Sequence, residues 1–216
     1  MIKDKLTLGV RNGLYFKRIG ETFIFFDLSA DRYFLLASEA GERFDRFLNN
    51  SADASDQYWL FQRGLIAENL DCYPSSHPIM PPRSSFVDNP CSSATFDLVL
   101  QGLWAQRQAR RELRNRRLDA IFASLQANIA QIVEGDTIYG EVAAAFLRAR
   151  RYSPAVDQCV SRGIAMKRML MHHGCNALLV FGVTMPFAAH CWVQVGNTVL
   201  TDPLDIALHY DPIFAV

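Results

Sequence analysis

Apolar and polar residues alternate in three short aromatic-rich runs near the start of the chain. The runs occupy residues 13–17, 22–26 and 32–35, with turn-forming residues between them, and this pattern favours β-strands. The apolar spacing then becomes helical: one predicted helix has Ser38 as its N-cap, and a second covers residues 55–63. The pattern therefore predicts a small α+β module of three strands followed by helices.

A stretch rich in proline and serine comes next. Residues 71–95 hold five of the nine prolines, which are Pro74, Pro78, Pro81, Pro82 and Pro90. Such a sequence neither propagates a helix nor forms a central strand. It predicts a linker over 71–95, between a module of residues 1–70 and a domain of residues 96–216.

The pattern of the second domain is helical at first and strand-like later. Helical spacing covers residues 96–130 and 141–151, and a further apolar-periodic run begins at Cys159. Two alternating runs joined by Gly196-Asn197 follow and predict a β-hairpin. The whole chain is thus predicted to be α+β.

Composition limits the classes of partner. Lysine plus arginine and aspartate plus glutamate both number 22, so no overall charge favours a nucleic acid or a membrane surface as partner. No run approaches the roughly 18 apolar residues of a membrane span, and no apolar run follows the N-terminal residues as a secretory signal would require. The five cysteines include no C-x-x-C pair, so we expect no disulfide framework, no metal site and a cytoplasmic location.

An arginine run covers residues 107–117 of the predicted helical region. Two interpretations stay open: a solvated helix face, or a docking patch for an acidic partner or peptide.

The candidate chemistry lies near the C-terminus, in the order Cys159, His190, Asp202. A thiol in the first turn of a helix lies near the positive end of the helix dipole, and an imidazole beside it favours the thiolate. A carboxylate would orient the imidazole, as in cysteine hydrolases. Cys175, in a predicted turn, and Cys191, on the strand face opposite His190, are weaker candidates for the nucleophile.

The predicted hairpin sets a geometric condition on Asp202. With a two-residue turn at Gly196-Asn197 and regular pairing, Asp202 would lie opposite Cys191 and face away from His190. We therefore predict a three-residue loop or a bulge between residues 195 and 200. A tight regular hairpin would instead make Asp205 the next candidate for the orienting carboxylate.

Several motifs of the second domain resemble the transglutaminase-like leader peptidases of lasso-peptide biosynthesis, the B proteins. They are CVSRGIA at 159–165, LVFGV at 179–183, PF at 186–187, HCWV at 190–193 and Asp202. The resemblance implies a transglutaminase/papain-like cysteine peptidase domain with Cys159, His190 and Asp202 as its catalytic residues. Gln158 and the Cys159 backbone N–H are the oxyanion candidates. Two positions depart from the family pattern: Cys191 replaces a small residue, and Gln194 replaces a glutamate.

The first module resembles the peptide-recognition element of ribosomal peptide maturation, a winged-helix-like module. The resemblance rests on the three-strand start, the SEAG helix opening at 38–41 and the GLI sequence at 64–66. It implies that a leader peptide adds as a strand beside this module and packs on its second helix. The implied leader-binding residues are Arg32, Tyr33, Phe34, Leu35, Tyr58 and Phe61.

Together these resemblances predict a peptidase that cleaves the leader from a lasso precursor without a cofactor. Its partners would be that precursor and an ATP-dependent macrolactam synthetase, since this sequence has no Walker-type or glycine-rich nucleotide motif of its own. Two other interpretations stay open at this point: an acyltransferase with the same three residues, and a non-catalytic peptide-binding adaptor.

Overall fold

The computed structural model describes residues 8–68, 79–126, 136–152 and 158–216. Contacts along the chain divide it into two compact units, Met1–Ser75 and Ser76–Val216. Within the described ranges, no helix combines the length and the apolar character needed to cross a bilayer.

The described residues of the first unit form five strands and two helices. A three-stranded antiparallel sheet has the order β2-β3-β4, and β1 pairs with β5 in a separate two-stranded sheet. The elements are β1 (Leu8–Val10), β2 (Leu14–Ile19), β3 (Thr22–Asp27), β4 (Arg32–Leu36), α1 (Ser38–Leu48), α2 (Ala54–Gln62) and β5 (Ile66–Glu68). The three strands predicted from alternation are confirmed, whereas the short β1 and β5 were not predicted.

Aromatic packing holds α1 against the three-stranded sheet. The Phe44 ring is fully buried and makes edge-to-face contacts with Phe23 at 5.1 Å and Phe25 at 4.9 Å. A buried carboxylate joins the two helices, because Asp56 of α2 accepts hydrogen bonds from Arg43 and Arg46 of α1. These contacts make the sheet and both helices one packed module.

The predicted N-cap of α1 is wrong. Ser38 is the first residue of α1 and has a left-handed φ of 53°, while Ala37 occupies the N-cap position without a side-chain hydrogen bond. The second helix covers Ala54–Gln62, within one residue of the predicted 55–63 at each end; the Asp53 side chain accepts from the Asp56 N–H, and Gly64 follows the Arg63 C-cap with φ of 65°. Glycine suits that position because it has no Cβ to oppose a positive φ.

The second unit is a five-stranded sheet with helices. Its strand order is β10-β7-β8-β9-β6, and every pairing is antiparallel except β6 with β9. The helices are α3 (Phe96–Asn115), α4 (Leu118–Gln126), α5 (Asp136–Ala149), α6 (Cys159–His172) and α7 (Leu204–Leu208). The strands are β6 (Ser84–Ser85), β7 (Leu178–Thr184), β8 (Ala188–Val195), β9 (Thr198–Val199) and β10 (Asp211–Ala215).

Part of the predicted linker belongs to this sheet, which corrects the proposed boundary. Ser84 pairs with Thr198, and Ser85 pairs with Val199, so residues after 78 are structural in the second unit. A two-residue edge strand tolerates the neighbouring prolines because it needs few ladder hydrogen bonds. The linker residues 71–78 and the predicted helical residues 127–130 lie outside the described ranges.

Two glycines allow close packing around the sheet. A Cβ on Gly163 of α6 would collide with the Leu179 side chain of β7, so glycine lets this helix lie close to the sheet. A Cβ on Gly182 would approach Trp192 to 2.7 Å and Tyr210 to 2.8 Å. Gly182 pairs with His190, so this close packing of Trp192 and Tyr210 lies next to the candidate base.

Candidate active site

Cys159 is the first residue of α6, as the sequence predicted, and its side chain is partly exposed. The thiol hydrogen-bonds to Cys191 and to His190, and these contacts outweigh the effect of burial and lower the pKa of Cys159 to about 4. The first N–H groups of a helix have no partner within the helix and favour a negative charge. Cys159 is therefore a thiolate at neutral pH.

The hydrogen bond from Cys191 does most to stabilise that thiolate. Both its S–H and its backbone N–H donate toward Cys159, while the side chain is only 2% exposed. Burial, followed by its contact with Cys159, raises the pKa of Cys191 well above the ordinary value, so Cys191 keeps its proton. Cys191 is thus a hydrogen-bond donor beside the nucleophile candidate rather than a rival nucleophile.

His190 lies between the thiol and a carboxylate. Its Nε2 atom is 3.4 Å from Asp202 Oδ1, an ion-pair separation longer than a close charge-assisted hydrogen bond. Burial disfavours the imidazolium, but the contacts with Asp202 and Cys159 outweigh burial and raise the pKa of His190 to about 9. Between these two pKa values the residues form a thiolate–imidazolium pair.

The expected irregular hairpin is wrong, yet Asp202 still reaches His190. Val195 pairs with Thr198 and Gln194 pairs with Val199, which makes a tight two-residue turn at Gly196-Asn197. Regular pairing of β8 with β9 ends close to Gln194 and Val199, so strand alternation does not set the direction of Asp202. The expected geometry was wrong because β9 is only two residues long and does not carry the alternation to residue 202.

A threonine hydroxyl ends the pairing of β8 and β9. The Leu200 N–H still donates to the Val193 carbonyl at 2.8 Å, but the Val193 N–H donates to the Thr201 hydroxyl at 3.0 Å. The side chain thus replaces the backbone acceptor that continued pairing would use. Cys191 lies two residues before Val193, so its N–H points to the same side of β8. On that side β9 no longer pairs with the strand.

Contacts from two other elements hold Asp202 in place. The Ser85 hydroxyl donates to the Asp202 carbonyl at 2.6 Å, and Arg150 Nη2 lies 3.6 Å from Asp202 Oδ1. Burial opposes the carboxylate charge, but His190, Thr201 and Arg150 outweigh it and keep the pKa of Asp202 below its ordinary value. Asp205, the alternative candidate, is an exposed residue of α7 and has no recorded contact with His190 in the described structure.

Gln158, the first oxyanion candidate, is the N-cap residue of α6, next to Cys159. Its side-chain Oε1 accepts a hydrogen bond from Arg110 Nη2 of α3. Because a guanidinium group only donates, the amide oxygen must face Arg110 and the NH₂ group must face away from it. Arg110 therefore fixes which end of the amide is available as a donor.

The Gln194 side chain explains why an amide suits this position. It is fully buried, its Nε2 donates to the carbonyls of Met80 at 2.6 Å and Gly196 at 2.7 Å, and its Oε1 accepts from Trp192 Nε1. A carboxylate could not donate to either carbonyl. Trp192 is fully buried, and Tyr210 packs beside the His190 ring with centroids 5.3 Å apart.

The expected leader-binding residues lie on two elements of the first unit. Leu35, Tyr58 and Phe61 are exposed by 42%, 67% and 48%, and Arg32 is exposed as well. Tyr33 and Phe34 are partly buried, since their rings stack on Phe26 and Phe25 of β3. Among the described strands β4 pairs only with β3, so one edge of β4 has no strand beside it.

Sequence patterns missed several neighbours of the three central residues. They are Cys191, Thr201, Ser85, Arg150 and Tyr210, each of which interacts with Cys159, His190 or Asp202. Of these neighbours, only Cys191 could have been noticed in the sequence, because it replaces a small residue of the family pattern beside His190. In the described part of the chain, no group of three or more His, Cys, Asp or Glu residues could hold a metal ion.

Replacing Thr201 should destabilise the second unit. In Thr201→Val the buried Val193 N–H loses its acceptor, which costs about 1–3 kcal/mol in the free energy of unfolding, measured by urea titration. Thr201→Ser keeps the hydroxyl and should retain most of the stability. Equal stability of the valine and wild-type proteins would contradict a structural role for this bond.

Replacing Cys191 should raise the pKa of the Cys159 thiol. The rate of iodoacetamide alkylation of Cys159 is measured by peptide mass mapping from pH 3 to 10. In the wild type the rate should rise as the thiol ionises, with the midpoint of that rise near pH 4. In Cys191→Ala that midpoint should rise by about one pH unit or more, because the thiolate loses an S–H donor.

Two variants act as controls for this titration. Cys191→Ser still donates a hydrogen bond and should have a midpoint closer to the wild type than Cys191→Ala has. Cys175→Ala removes another buried thiol and should leave the Cys159 midpoint unchanged. An unshifted midpoint in Cys191→Ala would show that Cys191 does not stabilise the thiolate.

Comparison with known proteins supports the chemistry that this geometry allows. A sequence profile described as the transglutaminase-like superfamily matches residues 99–215, which include all three central residues. No curated protein and no solved structure matches the chain significantly. The superfamily includes cysteine peptidases and acyltransferases, both of which use a thiolate, an imidazole and an orienting side chain. The chain belongs to the transglutaminase-like superfamily.

Proposed function

We propose that this protein is a cysteine peptidase that cleaves the leader from a ribosomal lasso-peptide precursor. One observation carries the peptidase assignment: the Cys159 thiol at the start of α6 contacts His190, which lies 3.4 Å from Asp202. The lasso-precursor assignment rests on the family resemblance of the motifs around these residues and on the module that precedes them.

The reaction begins with the thiolate already formed. Cys159 Sγ attacks the carbonyl carbon at the leader–core junction, and negative charge develops on the carbonyl oxygen. The backbone N–H of Cys159, at the helix start, is one donor for this oxyanion. The Gln158 NH₂ group, which Arg110 turns away from itself, is the second.

His190 then transfers the proton that the leaving amine needs. The imidazolium is charged below a pKa of about 9 and protonates the amine of the core peptide as the C–N bond breaks. The neutral imidazole next activates a water that hydrolyses the thioester to the leader carboxylate. Asp202 orients the ring and stabilises its charged form during both steps.

The first unit offers a surface for the leader. One edge of β4 has no partner among the described strands, and it can accept an extended peptide as an added strand, with backbone hydrogen bonds giving affinity. Tyr58 and Phe61 lie one helical turn apart on α2 and are largely exposed, so they can receive apolar leader side chains. This arrangement supports the proposal that the recognition module selects the substrate that the second unit cleaves.

The products suit a partner enzyme that forms amide bonds. Cleavage releases a core peptide with a free amino group, and an ATP-dependent macrolactam synthetase would join this amine to an acidic side chain of the core. That second step needs activation of a carboxylate, a different chemistry from the hydrolysis proposed for Cys159.

Cleavage of a lasso precursor peptide, sought among short reading frames near the gene, tests the proposal directly. The full-length protein should release a leader and a core whose masses sum to the precursor mass plus one water, measured by intact mass spectrometry. Cys159→Ala should lower the rate at least about a thousandfold because the nucleophile is lost. Cys175→Ala should cleave like the wild type.

Each rival function predicts a different result in the same assay. An acyltransferase would produce a leader joined to an added amine instead of water. An adaptor would support precursor maturation equally well with alanine at residue 159. Intact precursor in the wild-type reaction, with folded protein, would refute the peptidase proposal.

Leader recognition by α2 makes a separate prediction. Tyr58→Ala combined with Phe61→Ala should weaken binding of a fluorescent leader peptide about tenfold or more, since exposed aromatic anchors carry much of such affinity. Trp104→Ala removes an equally exposed aromatic from the second unit and should leave the dissociation constant unchanged. Equal affinity of the double variant and the wild type would exclude this surface.

A further inference from the structure

Helix α3 presents arginines toward the start of α6. Arg107, Arg110 and Arg114 are three and four residues apart, and this spacing places them on one face of the helix. Arg110 donates to the side chain of Gln158, the residue before Cys159. The arginine-bearing face of α3 is therefore turned toward the helix end that holds the thiolate.

A fourth arginine comes from α6 itself. The Arg162 N–H donates to the Gln158 carbonyl at 3.0 Å, so Arg162 lies one helical turn beyond Gln158 on the same side. We name Arg107, Arg110, Arg114 and Arg162 the arginine cluster. Burial lowers the pKa of Arg110, and the charges of Arg107, Arg162 and Arg114 lower it further, as expected for cations held close together.

The nearby carboxylates are already engaged. Glu112 of α3 pairs with Arg168 at 2.7 Å, and Asp202 pairs with His190 and Arg150. Across the described residues, no salt bridge is formed by Arg107, Arg114 or Arg162. Among the described residues, positive charge therefore exceeds negative charge beside the nucleophile, and an incoming anion would relieve the repulsion.

We propose that the arginine cluster binds a carboxylate side chain of the peptide substrate, close to the bond that Cys159 attacks. The proposal rests on the proposed function and adds a substrate feature to it: an aspartate or glutamate within a few residues of the cleaved bond. Guanidinium groups match carboxylates in planar, paired hydrogen bonds. A polyanion is a poorer fit, because the chain has formal net charge +0 and the cluster is local.

Two alkylating reagents measure the proposed anion site without any peptide cleavage. Iodoacetate and iodoacetamide are nearly equal in size, and in both reactions the Cys159 thiolate forms an S–C bond and expels iodide. Only iodoacetate carries a carboxylate. The ratio of the two rates at Cys159, read by peptide mass mapping, therefore reports attraction of an anion, while changes in thiolate reactivity cancel.

Loss of one arginine should lower this ratio. For Arg162→Gln we expect a decrease of about threefold, the size of one Coulomb interaction over several ångströms near water. Arg107→Gln, at an exposed position, should lower the ratio in the same direction without disturbing the core. Arg111→Gln changes an exposed arginine of α3 outside the cluster and should preserve the wild-type ratio.

A protection experiment identifies the preferred anion. Triglutamate should slow alkylation of Cys159 in the wild type but not in Arg162→Gln, and triglutamine or inorganic phosphate at equal concentration should protect less. A ratio that is unchanged in Arg162→Gln and Arg107→Gln, or that falls equally in Arg111→Gln, overturns the proposal. Stronger protection by phosphate than by triglutamate also overturns it. Failure of precursor cleavage would leave these rates unaffected, so the two proposals fail independently.

Discussion

The hydrogen bond from the Val193 N–H to the Thr201 hydroxyl ends the pairing of β8 and β9, and the candidate site depends on this ending. Beyond it, the edge of β8 is open, and the Cys191 N–H at that edge donates to the Cys159 thiolate. Because the chain no longer follows β8 after β9, Asp202 is turned toward His190. A longer β9 would cover the edge and carry Asp202 to the opposite face of the sheet.

The site balances its buried charges in pairs. The Cys159 thiolate faces the His190 imidazolium, and the Asp202 carboxylate faces both His190 and Arg150. Pairing of this kind is required because an isolated buried charge is costly. Three members of the arginine cluster, Arg107, Arg114 and Arg162, form no salt bridge within the described ranges, so the cluster has the strongest capacity to select a substrate by charge.

The two units contribute different parts of the proposed function. The second unit supplies a thiolate that would react with many accessible acyl groups, since its three central residues do not discriminate between substrate peptide sequences. The first unit supplies an open strand edge and exposed aromatics, which suit recognition of an extended peptide. Under the proposed function, selectivity for one precursor would come from the first unit and the arginine cluster.

The sequence determined the elements and the chemical groups, whereas the tertiary structure decided how these groups meet. Local pattern was sufficient for the three-stranded sheet of the first unit, for the α6 start at Cys159 and for the strand holding His190, because alternation and helical spacing are local properties. The family motifs also identified Asp202 correctly as a neighbour of His190, although the hairpin geometry expected for it was wrong.

Other features depended on contacts between distant parts of the chain. Ser84-Ser85 joined the sheet although proline-rich surroundings predicted a linker, because β9 offered a parallel partner. The Thr201 hydroxyl, Arg110 on Gln158 and Cys191 on Cys159 are side-chain contacts between separate elements. No local periodicity encodes such contacts, because they depend on where a strand ends and how closely a helix packs on the sheet.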